Sequence, residues 1–235
     1  MVGLIDTSLR VAKAERQAAL EQRLRVGERP IGRKIALTAR AAQDRVGASG
    51  PIWGWLTDVM EIPSGEAFTI PPYLRTRAEV ELVFVLGQDL VGPGVTSRDV
   101  MAATAAVCIG IELPTGPSSG SPTTVAELVA NNAWAGGFVI GPPRADWAAL
   151  DLALLGALLE VDGQVVTSGA GAAVLGHPAR AIARLANDLA EDDGSELRAG
   201  ELIFTGGLTE PVTLTPGMTV EASIAHLGHI GLRLR

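Results

Sequence analysis

The chain reads as an α+β, strand-dominated domain, and three observations predict it. Short apolar runs divided by Gly and Pro recur along most of the 235 residues. Helical periodicity is clear in few places. Strands and helices do not alternate regularly, which argues against a doubly wound parallel sheet.

In chain order, residues 8–26 are rich in helix formers, with Asp6 or Thr7 able to cap and Gly27 and Pro30 stopping the run. The helix they form is expected to dock on the body or on a neighbouring subunit. Ile31–Thr38 reads as a strand, Ala39–Val46 as a helical turn, and Gly47–Pro51 and Pro63-Ser-Gly65 as loop and turn. Arg77-Ala-Glu-Val-Glu-Leu-Val-Phe-Val-Leu86 reads as a buried strand. Thr96-Ser-Arg-Asp99 forms a capping box, with Asp for the usual Glu, and predicts a helix over Val100–Val107. Gly137–Ile140, Leu158–Val161, Gln164–Thr167, Glu201–Thr205, Val212–Leu214 and Thr219–Leu234 read as strands. Asp162-Gly163 marks a hairpin. His177-Pro178 opens a helix whose Ile182, Leu185, Ala186 and Leu189 form one apolar stripe ending near Gly194.

Composition narrows the function classes. Hydrophobic residues are 47% and charged residues 19%, enough for a real core. The net charge of −7, without a basic stripe, argues against nucleic-acid binding. No uncharged stretch is long enough to span a membrane, the N-terminus meets an acid too early for a signal peptide, and the lone Cys108 fits a reducing cytosol. The expected location is therefore cytoplasmic. Cys108, inside an apolar run, reads as a small core residue.

Glu79, Glu81 and Glu112 are the candidate functional set. Strand alternation points Glu79 and Glu81 the same way, and Glu112 ends the apolar run Val107-Cys-Ile-Gly-Ile-Glu112. Carboxylates in such runs need compensation, which a hard divalent cation with oxygen ligands supplies. A solvated strand face paired with Arg75 and Arg77 satisfies the same spacing. Lys34 and Asp58 lie in apolar contexts that demand partners or solvent. Gly169-Ala-Gly-Ala-Ala-Val-Leu-Gly-His-Pro178 lacks the spacing of either phosphate-binding glycine motif, so close packing before a helix accounts for its glycines. His226 and His229 fall on opposite faces of a strand. Ser118–Thr124 is the most loop-like segment and follows soon after Glu112, placing it among candidate substrate contacts or ordinary surface loops.

Together, Gly32-Arg-Lys-Ile-Ala-Leu-Thr38, Trp53-Gly-Trp-Leu-Thr-Asp-Val-Met60, the Arg77 strand to Gly87, Gly169–Pro178 and Ala199-Gly-Glu-Leu-Ile-Phe-Thr-Gly-Gly-Leu-Thr209 resemble, in order and spacing, the 2-hydroxypentadienoate hydratases and the similar 4-oxalocrotonate decarboxylases. Both belong to the fumarylacetoacetate hydrolase superfamily. The likeness implies mixed β-sheets with a few flanking helices in a catalytic domain over 31–235, preceded by a helical segment over 1–30. It implies Mg²⁺ or Mn²⁺ on Glu79, Glu81 and Glu112, with a 2-hydroxy-2,4-dienoate or its 2-oxo tautomer bound to the ion and passing through an enolate. Lys34 and Asp58 would move protons and position water. Arg77, Leu113, Asn131, Gly207 and Thr209 would contact substrate, with the Gly206-Gly207 backbone lining the pocket.

The superfamily's C–C hydrolases use a His-Glu pair in their N-terminal half, and this chain has no histidine before His177. Hydration is the first expectation and decarboxylation the second. Gly206-Gly-Leu-Thr-Glu210 leans towards decarboxylases, whereas Ile52-Trp-Gly-Trp-Leu56 and the Glu79 strand lean towards hydratases. The segment Leu113-Pro-Thr-Gly-Pro117 replaces the family's Ile-x-Asp-Ser-Arg, and Ala130-Asn-Asn-Ala133 replaces Ala-Asp-Asn-Ala. These changes motivate a third reading, a catalytically altered member acting as a complex subunit or binding protein. A homo-oligomer, and a complex with a pathway enzyme, are further implications of the likeness.

Overall fold

The computed structural model describes residues 2–118 and 124–235. Its elements in chain order begin with α1 (Val2–Arg25), β1 (Pro30–Ala36), α2 (Arg40–Val46), β2 (Ile52–Thr57), β3 (Ala67–Phe68) and β4 (Leu74–Leu86). Next come α3 (Ser97–Ala103), β5 (Thr104–Pro117), α4 (Val125–Ala130), β6 (Ala135–Ile140), β7 (Gly156–Val161) and β8 (Gln164–Ala170). The chain finishes with α5 (Pro178–Asp192), β9 (Leu202–Gly207), β10 (Val212–Thr213), β11 (Thr219–Ile224) and β12 (Gly228–Leu234).

Two sheets carry the fold. The larger has the order β2-β1-β9-β4-β5-β6, with β10 attached to β4, and the smaller has the order β3-β12-β11-β7-β8. Both parallel and antiparallel pairs occur, as the resemblance implies: β1 runs parallel to β9 and antiparallel to β2. The larger sheet curls. Past β2, Glu61 bridges Phe138 and the Ile62 amide donates to the Phe138 carbonyl at 2.8 Å, so the segment after one edge strand meets β6 at the other edge.

Alternation along β4 and β5 sorts the residues between two cores. Ala78, Val80, Leu82, Phe84 and Leu86, with Val107, Ile109, Ile111 and Leu113, enter a large core shared with the smaller sheet and α5. The opposite, concave face holds a small apolar plug of Leu56, Met60, Val83, Cys108, Phe138 and Phe204. The Phe138 and Phe204 rings meet edge to face at 5.1 Å. Gly110 is required there, because a Cβ would lie 2.6 Å from both Phe204 and Val83. Burial raises the Cys108 thiol pKa to about 11, in keeping with a core residue.

Several expected elements end elsewhere. The Thr96–Asp99 capping box is present, but α3 stops at Ala103 and the chain enters β5 at Thr104. The β-branched Thr104 and Val107 pair along β4, and that pairing overrides local helix signals. The aromatic run of β2 and the short α4 are regular elements without a clear periodic signal in the sequence. Thr219–Leu234 is a hairpin broken by a turn with His226 at φ 65°, not one strand. The Asp162-Gly163 turn does join β7 to β8, with φ of 50° and 76°. From 119 to 123, the loop expected between Ser118 and Thr124 lies outside the described residues.

α1 docks on its own chain. Ala12 and Leu20 are buried, Lys13 pairs with Asp192, and the Arg16 guanidinium lies 3.5 Å from the centre of a Trp53 ring while donating to the Trp53 carbonyl at 3.0 Å. Among the described residues, no helix is long and apolar enough to cross a membrane.

Candidate active site

Register brings the glutamates together above the plug. Glu79 faces Glu112 across the β4–β5 pair, and Glu81 faces Gly207 across the β4–β9 pair. All three offer a carboxylate oxygen within 4.8 Å of the others. Glu81 and Glu112 are 0% and 1% exposed, and Glu79 sits at the rim, partly buried. No ion pair joins them to Arg75 or Arg77 among the described residues, so they do not form a solvated face.

Lys34 enters from β1, beside Phe204 of β9. It is 2% exposed, and its Nζ lies 2.8 Å from Glu112 Oε1, as an ion pair without the alignment of a hydrogen bond. Burial opposes its charge, yet Glu112, Glu79 and Glu81 outweigh that and hold its pKa above the ordinary value. Lys34 is therefore an ammonium at neutral pH. One ammonium does not balance three carboxylates. Burial first, then Glu112, pushes Glu79 up to about 7. Burial with Glu112 and Glu79 raises Glu81 well above the usual carboxylate range. Glu112 is raised by burial and partly restrained by Lys34.

One further observation bears on an ion. Glu81 Oε2 accepts from the Gly206 amide at 2.7 Å, but buried Oε1 has no hydrogen-bond partner. An orphaned buried carboxylate oxygen is costly. A hard cation taking one oxygen from each glutamate would satisfy it and offset the excess negative charge, so the donor set fits a divalent ion.

The surrounding backbone is built to leave room. A Cβ at Gly207 would lie 2.7 Å from Glu79 Oε2. At Gly206, φ is 108° and a Cβ would lie 2.5 Å from Thr38 Oγ1. Behind them, a Cβ at Gly169 would strike the Leu208 carbonyl oxygen at 1.9 Å, so the glycine-rich segment supports this wall by close packing, as its sequence suggests. Gly207→Ala is expected to displace the Glu79 carboxylate and weaken divalent-ion affinity roughly tenfold or more, while Tm moves little. Isothermal titration with Mn²⁺ checks this, and an unchanged affinity would refute it.

Of the other expected contacts, Arg77 lies on the face of Glu79 and Glu81, and its guanidinium is 6.0 Å from the centre of a Trp134 ring. Thr209 is 7% exposed, with a buried Oγ1 lacking a partner. Three expected residues are not brought to the group. Asp58 lies beyond Thr57, which pairs with Pro30, whereas Lys34 pairs with Gly54 further along the strands. Its carboxylate accepts from the Arg29 amide and side chain at 2.9 and 2.8 Å, and these bonds hold its pKa below the usual value. Leu113 is 0% exposed in the large core, because alternation sends it to the face opposite Glu112. Asn131 is exposed, and its side-chain amide donates to the Glu127 carbonyl at the end of α4.

Its neighbour Asn132 is the residue that shapes the wall. The Asn132 side chain accepts from the Trp55 amide at 2.7 Å and donates to the Trp55 carbonyl at 3.0 Å. Asn132, Ala133 and Trp134 all have positive φ, of 54°, 51° and 60°. Such backbone costs on the order of 1–2 kcal/mol per non-glycine residue, and the clamp to β2 holds it. Asparagine's tolerance of left-handed backbone was the available signal. Trp134 has no signal in the sequence, because its place depends on this turn.

Residues 36–235 match the family described as fumarylacetoacetate (FAA) hydrolase, C-terminal. A 2-hydroxypent-2,4-dienoate hydratase from Pseudomonas putida is 44% identical over 171 residues, covering 72% of this chain and 77% of the relative. A 4-oxalocrotonate decarboxylase from Pseudomonas sp. strain CF600 is 37% identical over 207 residues, covering 88% and 78%. The solved 4-oxalocrotonate decarboxylase from Pseudomonas putida G7, complexed with magnesium and adipate, superposes with a TM-score of 0.92 at 32% identity, over 97% of this chain and 86% of that one. These matches show it plainly: the chain belongs to the fumarylacetoacetate hydrolase family.

Proposed function

We propose that the protein is a divalent-metal-dependent lyase for small 2-oxo or 2-hydroxydienoic acids. Hydration of a 2-hydroxy-2,4-dienoate is the first reading and decarboxylation of a 4-oxalocrotonate-type acid the second. The observation that carries it is the buried group of Glu79, Glu81 and Glu112 with Lys34 against Glu112. The hydratase and decarboxylase names of the relatives, and the magnesium of the solved neighbour, support it. The likeness of the solved decarboxylase over 97% of this chain favours keeping the second reading.

Glu79, Glu81 and Glu112 would hold Mg²⁺ or Mn²⁺, which supplies an electrophile for the 2-oxygen and carboxylate of a 2-oxo acid. The chain's own groups do the rest. Lys34, kept an ammonium by the glutamates, serves as proton donor rather than base. Arg77, free of any ion pair among the described residues, holds a substrate carboxylate. Thr209 Oγ1, buried without a partner, offers a hydrogen bond to substrate or to a water. The plug of Phe138 and Phe204 excludes bulk solvent from beneath. Asp58 has no part in this reading, since Arg29 holds it beyond the far end of β2.

The test incubates the metal-loaded protein with 2-hydroxypenta-2,4-dienoate and with 2-oxohex-3-enedioate, following product mass and CO₂. Added water supports the hydratase and released CO₂ the decarboxylase. Turnover of neither, with the ion bound, would end the lyase reading for these acids and favour the binding-protein alternative. The proposal includes self-association, for which exposed Leu154, Val165 and Val166 supply apolar surface. A monomer by sedimentation velocity at micromolar concentration would remove that part.

A further inference from the structure

The two faces of β1 serve different neighbours. Lys34 points to the glutamates, so Arg33 points the other way, and Trp55, paired with Arg33 across β1 and β2, points with it. On that face lies a cavity of about 680 Å³, bounded by Ile31, Arg33 and Trp55 and by the segment between α5 and β9 that carries Glu196 and Glu201. Its volume falls in the range of small-molecule pockets. None of Lys34, Glu79, Glu81 and Glu112 lines it.

Two donors in its wall have no acceptor. Arg33 is 3% exposed, and its Nη1 donates to Glu201 Oε2 at 2.8 Å. Nη1 and Nη2 also reach the Glu196 carbonyl at 3.4 and 3.3 Å, yet the buried Nε has no partner among the described residues. The buried Trp55 Nε1 has none either. The Arg33 guanidinium lies 4.4 Å from the centre of a Trp55 ring, so the two unmatched N–H groups are neighbours. Leaving a buried donor unmatched costs about 1–3 kcal/mol. The nearby acids are already engaged: Glu201 accepts from Arg33 and from the Arg198 amide at 3.2 Å, and Glu196 pairs with the Arg198 guanidinium. What the cavity lacks is an acceptor.

Charge narrows the choice. Arg33 and Arg198 are matched by Glu201 and Glu196, so a dianion such as phosphate would enter a wall with no spare positive charge and meet two carboxylates. A single carboxylate brings two oxygens to two donors, in the planar form that suits a guanidinium. Ile31 and the Trp55 ring offer apolar surface to the rest of such a molecule. We propose that this cavity is a second ligand site, taking a small monocarboxylic acid with its carboxylate on Arg33 Nε and Trp55 Nε1 and its apolar body on Ile31 and Trp55. The site lies across β1 from the glutamates and stands whether or not the protein is a lyase.

The experiment titrates benzoate into the full chain in chelator, with affinity from calorimetry and the Trp55 indole N–H followed by NMR. Trp55→Phe keeps an aromatic ring and removes the donor, and its missing resonance identifies the Trp55 signal among the four tryptophans. Benzoate is expected to move that signal downfield, and Trp55→Phe to weaken binding roughly tenfold or more, as for loss of a charge-assisted hydrogen bond. Glu79→Gln combined with Glu81→Gln is expected to leave benzoate affinity unchanged, which places the acid away from the glutamates. No binding at millimolar benzoate, an affinity that Trp55→Phe leaves intact, or loss of binding in the double variant overturns the site. Inorganic phosphate binding as tightly as benzoate overturns the choice of a monocarboxylic acid.

Discussion

Lys34→Met is expected to lower kcat by about 10²- to 10⁴-fold, the range for losing a positioned proton donor, while divalent-ion affinity is held or raised. The two effects have one cause. Lys34 is a buried cation 2.8 Å from Glu112, so it repels an incoming ion even as it balances the carboxylates. Removing it leaves the three acids without their buried ammonium, with only the Arg77 charge felt at Glu79. Breaking a buried ion pair from one side costs about 3–5 kcal/mol, and that cost should appear in the metal-free protein near pH 8. At pH 5 the loss should shrink, because Glu79, Glu81 and Glu112 all have raised pKa values and take up protons instead. Saturating Mg²⁺ should restore much of the stability and none of the turnover. Urea unfolding with chelator at both pH values, beside Mn²⁺ titration, measures each part. Equal destabilisation at pH 5 and pH 8 would show that the carboxylates do not depend on Lys34 for their charge. A variant with normal kcat would remove Lys34 from the chemistry.

What the sequence reveals of this site follows from the range of each signal. Strand alternation is local, so the shared direction of Glu79 and Glu81 is legible from their spacing alone. The pairing of Glu79 with Glu112 is not local, since it depends on the β4–β5 register across the intervening α3. Lys34 requires a third element, because β1 reaches the group only through β9, which is distant in sequence. The family likeness supplied what spacing could not. Three of the residues it implies have other contacts in the structure. Asp58 is captured by Arg29, Leu113 by the alternation that buries it opposite Glu112, and Asn131 by the end of α4. The helix expected over Val100–Val107 failed for a related reason: a capping box starts a helix, but only packing decides where it stops. Left-handed backbone at three consecutive non-glycine residues leaves almost no trace in composition, so the Trp134 wall could not be read in advance.

Glu79→Gln combined with Glu81→Gln is expected to abolish tight divalent-ion binding and flatten the pH dependence of stability. The sign follows from the raised acids. A group whose folded pKa exceeds its unfolded value contributes stability that is complete below the unfolded pKa and is lost as pH rises through the folded one. For Glu79 that window runs from 4.5 to about 7, and at 1.36 kcal/mol per unit the loss is about 3 kcal/mol. Glu81 adds to it in the same direction at higher pH. Metal-free wild type should therefore be less stable at pH 8 than at pH 5, and glutamine, which resembles the protonated acid, should flatten that decline. In chelator at pH 8 the double variant should be the more stable protein. With Mg²⁺ the gap should narrow, because an ion that binds only the folded wild type stabilises it by about 2.7 kcal/mol at a hundredfold excess over Kd and about 4.1 kcal/mol at a thousandfold excess. That narrowing separates a metal site from a mere acidic cavity, in which the advantage of the glutamines at pH 8 would be the same with Mg²⁺ as with chelator. If Mg²⁺ raises the Tm of the double variant as much as that of wild type, the ion binds elsewhere and Glu79, Glu81 and Glu112 are not its ligands.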